Sequence, residues 1–233
     1  MSEQLLQNQF SKYAKEYGDN NIIQQIVSKA LVRDIQNKPK RILELGCGSG
    51  QVFNYIDWEY DFYKAIDDSL DMCQLHPTDK NLIVKCFNFD SELFFNEIKD
   101  EQYDIIISSS ALQWSKDIDR LVNELSKISN KIEVVLFTSN TFKTIQNITK
   151  QVSPILDTKT IKKSFMKYMD CEFEILNYNL EFTSKKKMFN YIKNSGVSGK
   201  SSLDYKKAKQ LYKEYELNYL EFEVIFIKAF SKS

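Results

Sequence analysis

A single α/β domain built around a mostly parallel sheet is predicted by three features of the sequence. The stretch Arg41 to Gly50, RILELGCGSG, is a short apolar run that bends through Gly46, Gly48 and Gly50 into a helix-compatible segment from Gln51. Asp67 ends the next apolar run, 21 residues after Gly46 (67 − 46 = 21), the separation of a strand–helix–strand unit. Apolar runs and helical segments then alternate as far as Thr138, the pattern of parallel strands joined by crossover helices.

Taken in order, residues 1–18 carry Phe10, Tyr13 and Tyr17 three and four apart, on one face of a helix. That face either packs on the domain or covers a ligand. From Asn20 to Gln36 the apolar positions Ile22, Ile23, Ile26, Val27, Ala30, Leu31 and Ile35 follow a helical period. Asn20 or Asn21 is suited to cap its start, and Asn37-Lys38-Pro39 ends it. Strands are expected at Arg41–Leu45, Phe62–Asp67, Leu82–Phe87, Tyr103–Ser109 and Ile132–Thr138. Helices are expected from Gln51, Ser69–Leu75, Ser91–Lys99 and Asp119–Ile128 between them. After Asn140 the alternation stops. Helices at Thr141–Lys150 and Thr160–Met169 surround Pro154 and form an insertion at 141–170, expected over the ligand as part of the substrate wall. An extended Cys171–Phe182, a helix Lys187–Asn194 stopped by Ser195-Gly196, and a strand Leu220–Ala229 complete the chain. Gly196 to Lys209, rich in Ser, Gly and Lys, reads as a mobile loop.

Composition narrows the function. Lys+Arg and Asp+Glu are both 32, so net charge gives no ground for a nucleic-acid partner. Lysines nevertheless cluster in the second half, at Lys159, Lys162, Lys163, Lys167 and Lys185-Lys186-Lys187, as solvated faces or as a surface for an acidic partner protein. The cysteines Cys47, Cys73, Cys86 and Cys171 are scattered without a C-x-x-C pair, and His76 is the one histidine, so no metal site is expected. His76, before Pro77, reads as a solvent-exposed turn residue. The N-terminus lacks a signal-peptide core, and no apolar run approaches the ~20 residues of a membrane span. A soluble, reduced, cytoplasmic monomer without a membrane partner is the expectation.

Ligands of such sheets bind at the carboxyl ends of the strands. That rule selects Glu44 to Gly50, Asp67-Asp68, Asn88-Phe89, Ser108 to Ser110 and Thr138 to Asn140. Glycines there allow positive φ and close approach of a ligand to the backbone, and a helix start offers free N–H groups. An Asn-Phe pair suits a purine, with the amide on a ring edge and the aromatic over its face. For a lone Asn-Phe pair packing is the simpler explanation.

The G-x-G-x-x-G of dinucleotide sites places its third glycine one residue later than this chain does. The pattern E-L-G-C-G-S-G instead resembles motif I of the class I S-adenosylmethionine (SAM) methyltransferases. The resemblance implies a Rossmann-like seven-stranded sheet, mostly parallel with an antiparallel last strand, an N-terminal helical lid within residues 1–36, and the helical insertion after the fifth strand. It also implies SAM as cofactor and S-adenosylhomocysteine as product, with no metal. Glu44 would face the amino end of the methionine moiety and Asp67 the ribose hydroxyls, with Gly46, Cys47, Gly48, Gly50, Asp68, Asn88, Phe89 and Ser109 completing the cofactor site.

A narrower resemblance rests on Ser108-Ser109-Ser110-Ala111-Leu112-Gln113-Trp114, which is similar to the segment after the fourth strand of the malonyl-acyl-carrier-protein O-methyltransferases of biotin synthesis. Phe10, Tyr17, Gln24, Phe137-Thr138, Thr141-Phe142, Asn194 to Val197 and Leu217-Asn218-Tyr219 look similar too. The implied reaction methylates the free carboxylate of a malonyl thioester on acyl carrier protein, with Tyr17, Gln113 and Trp114 lining the acceptor side. A carboxylate with a pKa near ~4 is ionised at neutral pH and needs no general base, which agrees with the absence of a His/Asp or Cys/His pair suited to catalysis. The family's usual basic residue before the N-terminal Phe is Gln9 here, and its Asp and Asn are Asn88 and Ser109. With three arginines, none clearly in the insertion, Lys143 or another insertion lysine would take the place of a guanidinium on the substrate carboxylate, and the insertion lysines would supply a basic rim for the carrier. A methyltransferase of another small acid of the aconitate type, and an inactive SAM-binding interaction module, are the alternatives. Intact Glu44, Gly46, Gly48, Gly50 and Asp67 argue against the last.

Overall fold

The computed structural model describes residues 21–194 and 205–232. The expected N-terminal lid with Phe10, Tyr13 and Tyr17, and the stop at Ser195-Gly196, lie outside the described residues. Seven strands form one sheet: β1 (Arg41–Leu45), β2 (Phe62–Asp67), β3 (Leu82–Cys86), β4 (Ile105–Ser109), β5 (Lys131–Phe137), β6 (Met169–Glu181) and β7 (Tyr219–Ser231), in the order β3-β2-β1-β4-β5-β7-β6. β1 to β5 pair in parallel, and β7 runs antiparallel to both β5 and β6, so β7 alone opposes the rest. The chain order reverses direction across the sheet between β1 and β4, which opens a crevice at their carboxyl ends.

β1, β4 and β5 are buried on both faces, as parallel strands roofed on two sides must be. On one face, α3 (Glu92–Ile98), α4 (Ile118–Ile128) and α6 (Thr158–Tyr168) press Phe94, Leu121, Leu125, Ile161 and Phe165 onto Leu43, Ile106, Val134 and Leu136. On the other, α1 (Ile22–Asp34), α5 (Lys143–Thr149), α7 (Lys185–Asn194) and α8 (Tyr205–Glu214) bring Ile23, Val27, Phe142, Met188, Leu211 and Tyr215 onto Val135, Phe137, Phe222 and Val224. The short α2 (Leu70–Leu75) follows β2. Local sequence starts these helices: the side chains of Ser69, Ser91, Asp117 and Asp157 accept from Met72, Phe94, Arg120 and Thr160 N–H respectively. Asn21 stands at the start of α1 without capping it, its amide instead joining Gln51 and Gln25.

Several expectations require correction. No full helix follows the glycine loop at Gln51; a single 3-10 turn, Phe53–Tyr55, stands there. The Phe53 ring packs edge-on against Tyr60 and Tyr63, and an aromatic, β-branched run gains more from that packing than from continuing as a helix. His76 is buried at 6% exposure beside the Phe53 ring rather than exposed. Of the loop expected at Gly196–Lys209, residues 196–204 lie outside the described residues, and Tyr205 to Lys209 open α8 instead, whose Leu211 is buried. Within the 141–170 segment, α6 lies flat on the sheet with Ile161 and Phe165 at 0% exposure, and neither α5 nor α6 contributes to the ligand pocket described below.

Candidate functional site

The site begins with the loop after β1. Gly46 and Cys47 N–H both donate to the Ile66 carbonyl, at 2.7 and 3.0 Å, which stitches the turn to the end of β2. The glycines then divide by purpose. A Cβ on Gly46 (φ +69) would stand 2.0 Å from that of Ala111, and one on Gly50 (φ +86) 2.4 Å from Pro77 Cδ, so both make room for the protein itself. Gly48 (φ +53) has nothing within 4 Å of that position. Its bareness serves the pocket.

Asp67 completes the loop. Its Oδ2 accepts from Gly48 N–H at 2.8 Å and its Oδ1 from Ser69 N–H at 2.8 Å. Burial pushes this carboxyl above the usual carboxylate range, and the two backbone donors oppose that shift. Glu44, at the end of β1, is 1% exposed. Its Oε2 accepts from the Tyr63 hydroxyl at 2.6 Å, while Oε1 is buried with no hydrogen-bond partner among the described residues. Burial drives its pKa up to about 8; the Tyr63 bond acts against this and the Asp67 charge adds to it. An acid with an unmet acceptor in a dry wall is a place prepared for a cation.

These groups line one pocket at the carboxyl ends of β1, β2, β3 and β4. Of the residues expected to bind a cofactor, Glu44, Gly46, Cys47, Gly48, Asp67, Asp68, Asn88, Phe89 and Ser109 all line it, and Gly50 does not. Asn88 Oδ1 is occupied by Asp90 N–H at 2.8 Å, while its Nδ2 reaches Asp68 Oδ2 at 3.4 Å. Trp114, in the 3-10 turn Leu112–Trp114, is part of the wall. Gln113 is buried outside that wall, its amide donating to Ser110 O at 2.7 Å, so it braces the turn that carries Trp114. Tyr17 lies outside the described residues.

Sequence reasoning missed several lining groups. Gln24 and Ser28 reach the pocket from α1, and Ser28 Oγ lies 2.8 Å from Ser109 Oγ and accepts from Gln51 at 2.8 Å. Their signal was present: two polar residues four apart on the buried face that also carries Ile23 and Val27. Asp90 accepts from Ser115 Oγ at 2.7 Å and Lys116 N–H at 2.9 Å, joining the loops after β3 and β4. Nothing in its neighbours along the chain marks that role.

The donor set fits SAM: an unmet buried carboxylate suits the ammonium group, Asp67 suits hydroxyls, and the bare Gly48 leaves backbone open to a ligand. Among the described residues no group of His, Cys, Asp and Glu is arranged to hold a metal ion, and no helix is long and apolar enough to cross a membrane.

Comparison with known proteins agrees with this geometry. The family described as "Methyltransferase domain" matches residues 15–154. The malonyl-[acyl-carrier protein] O-methyltransferase of Acinetobacter baylyi is 25% identical over 211 residues, 85% of this chain and 80% of that one. The protein of the same name from Anoxybacillus flavithermus is 27% identical over 145 residues, 60% of this chain and 54% of that one. Among solved structures, the YcgJ protein of Bacillus subtilis has the same fold, with a TM-score of 0.65 at 13% identity over 88% of this chain and 98% of that one.

Proposed function

Since the chain belongs to the methyltransferase domain family and is a SAM-dependent methyltransferase, we propose that its acceptor is the free carboxylate of malonyl-acyl carrier protein. The observation carrying this reading is the Ser108–Trp114 segment. By sequence it links the chain to the carrier-protein enzymes, and in the fold it brings Ser109, Ser110, Ala111 and Trp114 to the pocket wall.

When bound, SAM supplies an electrophilic methyl group on a sulfonium centre. The chain's own residues do the rest by binding and exclusion. Glu44 receives the ammonium end, Asp67 the hydroxyls, and Asn88 with Phe89 the purine. Trp114 keeps water from the side where the acceptor enters, and Gln113 holds the turn that aims it. A carboxylate acceptor arrives ionised, so no side chain has to remove a proton. Alignment with the methyl group and loss of solvent from the acceptor oxygen then supply the rate. In this reading Tyr17 lines the acceptor path, and the exposed Lys143 and Lys186, on the face of the sheet that also carries α1, meet an acidic carrier.

The test is methyl transfer from labelled SAM to malonyl-acyl carrier protein, beside free malonate, malonyl-coenzyme A and aconitate. A methyl ester formed on the carrier-linked substrate at least tenfold faster than on the others is expected. Labelling confined to a free acid overturns the carrier reading and leaves the cofactor site untouched.

A further inference from the structure

Glu44 and Tyr63 form a buried pair that motif I by itself does not specify. Tyr63 enters from β2, two residues before Ala65, the β2 residue that pairs with Glu44. Its side chain is 0% exposed, held edge-on between the Phe53 and Tyr60 rings at centroid distances of 5.2 and 5.5 Å. A hydroxyl fixed in that way has one direction to donate, and Glu44 Oε2 is there at 2.6 Å. Free rotation of the carboxyl would let either oxygen turn away. Pinning one leaves the other, Oε1, unpartnered in the pocket wall.

We propose that Tyr63 is a positioning residue of the cofactor site, holding Glu44 so that one carboxyl oxygen is spent on the protein and the other is reserved for the ligand's ammonium group. The proposal rests on SAM being the cofactor and not on which acid is methylated. A proton linkage follows from the surroundings of the pair. The charged and titratable groups near Glu44 are Tyr63 and Asp67 from β2 and Cys47 from the glycine loop; β4 offers the apolar Ile107 as its strand partner. None of these is a cation, and among the described residues Lys116 is the one lysine of the pocket lining. Burial thus raises Glu44 to a pKa of about 8, so that the group is mostly protonated in the ligand-free protein at pH 7. Bringing an ammonium group to Oε1 favours the ionised form, so that proton leaves as the ligand binds. The Tyr63 bond stabilises the same ionised form, and removing it makes the proton harder to release.

Calorimetry of SAM binding at pH 7, repeated in buffers of differing ionisation enthalpy, tests this directly on the whole chain. The wild-type protein is expected to release close to one proton per SAM bound. Tyr63→Phe is expected to bind SAM roughly tenfold more weakly at pH 7, as befits a lost hydrogen bond to a charged group. Its affinity against pH should rise later than the wild type's, by roughly one pH unit. Glu44→Gln should release no proton, and adding Tyr63→Phe to it should change affinity less than twofold. With thermal unfolding confirming that each variant folds, an equal loss at pH 6.5 and pH 8.5 in Tyr63→Phe assigns it a merely structural role and overturns the proposal. Undiminished affinity in Tyr63→Phe overturns it as well. Failure of the wild-type protein to bind SAM would instead overturn the cofactor assignment.

Discussion

Two glutamates stand at the same end of the sheet and are treated in opposite ways. Glu223, on β7, offers Oε1 to three donors: the Thr138 hydroxyl, the Asn140 amide at 2.9 Å and the Thr158 hydroxyl at 3.3 Å. Glu44, on β1, has an Oε1 that no described residue meets. Glu223 spends its acceptor on holding the segments after β5 to β7. Glu44 withholds one at the pocket wall, and a buried acceptor left unmet costs stability on the order of 1–3 kcal/mol. Such a cost persists where a ligand is to meet it.

The sharpest way to break this contrast uses the glycines beside Glu44. Gly46→Ala should destroy the fold, since its Cβ would overlap that of Ala111 at 2.0 Å and overpacking at that distance adds to left-handed strain, together about 3 kcal/mol or more. Gly48→Val should fold, because its Cβ position is open, at a cost of about 1–2 kcal/mol for the backbone. It should also lose SAM affinity more than about 100-fold, since the added side chain takes the ligand's place. Thermal unfolding and calorimetry on both variants separate the two glycines. If Gly48→Val bound normally, the loop would not be the cofactor site.

Asp67→Ala is next in size. It removes the acceptor of the Gly48 and Ser69 N–H groups together with the carboxylate that would meet hydroxyls. SAM affinity should fall by about 100-fold, roughly 3 kcal/mol, measured again by calorimetry.

A pH titration of stability sharpens the difference between the two glutamates. Glu44 binds its proton more tightly folded (about 8) than unfolded (4.5). The ligand-free protein is therefore at its full stability, as far as this group is concerned, below about pH 4.5. It loses that contribution as the pH rises to about 8, a decline of the order of 4 kcal/mol. Chemical denaturation at pH 5 and pH 8 should show the decline, and Glu44→Gln should reduce it, the raised Asp67 and Glu133 carboxyls acting in the same direction. A Glu44→Gln variant as pH-sensitive as the wild type would refute the linkage. Smallest is Glu223→Gln, expected to lower stability by about 1 kcal/mol and to leave SAM affinity within about threefold, because its partners belong to the scaffold.

What was legible in the sequence depended on how far apart its determinants lie. The glycine loop and Asp67 were readable because each is fixed by its own backbone and by a strand–helix–strand length. Strand positions were readable because β1, β4 and β5 are continuous apolar runs. The segment after Gln51 misled, since helix-compatible composition says nothing of Tyr60 and Tyr63, which capture Phe53 from the next strand. His76 misled likewise, its turn-like neighbours concealing the cover that Gly50 and Phe53 provide. The Glu44–Tyr63 bond joins residues 19 apart on adjacent strands, and no periodicity encodes it. The polar pair Gln24 and Ser28 was visible as an exception to its helix face, and only the fold says what the exception faces.

The position of β7 has a consequence for how the chain is made. It is the last strand in chain order, yet it sits between β5 and β6, with Ile132 paired to Ala229 across 97 residues (229 − 132 = 97). Among the described residues β6 has no other partner strand. At ribosomal speeds of roughly 5–20 residues per second, the edge of β5 waits about 5 to 20 seconds after emerging before its neighbour exists. During that interval the apolar β5, and later the alternating β6, present unpaired edges to every other nascent chain nearby. Low temperature or holdase chaperones during expression should therefore raise the soluble yield, and a stop codon before Tyr219 should send the product to inclusion bodies with its SAM half largely synthesised.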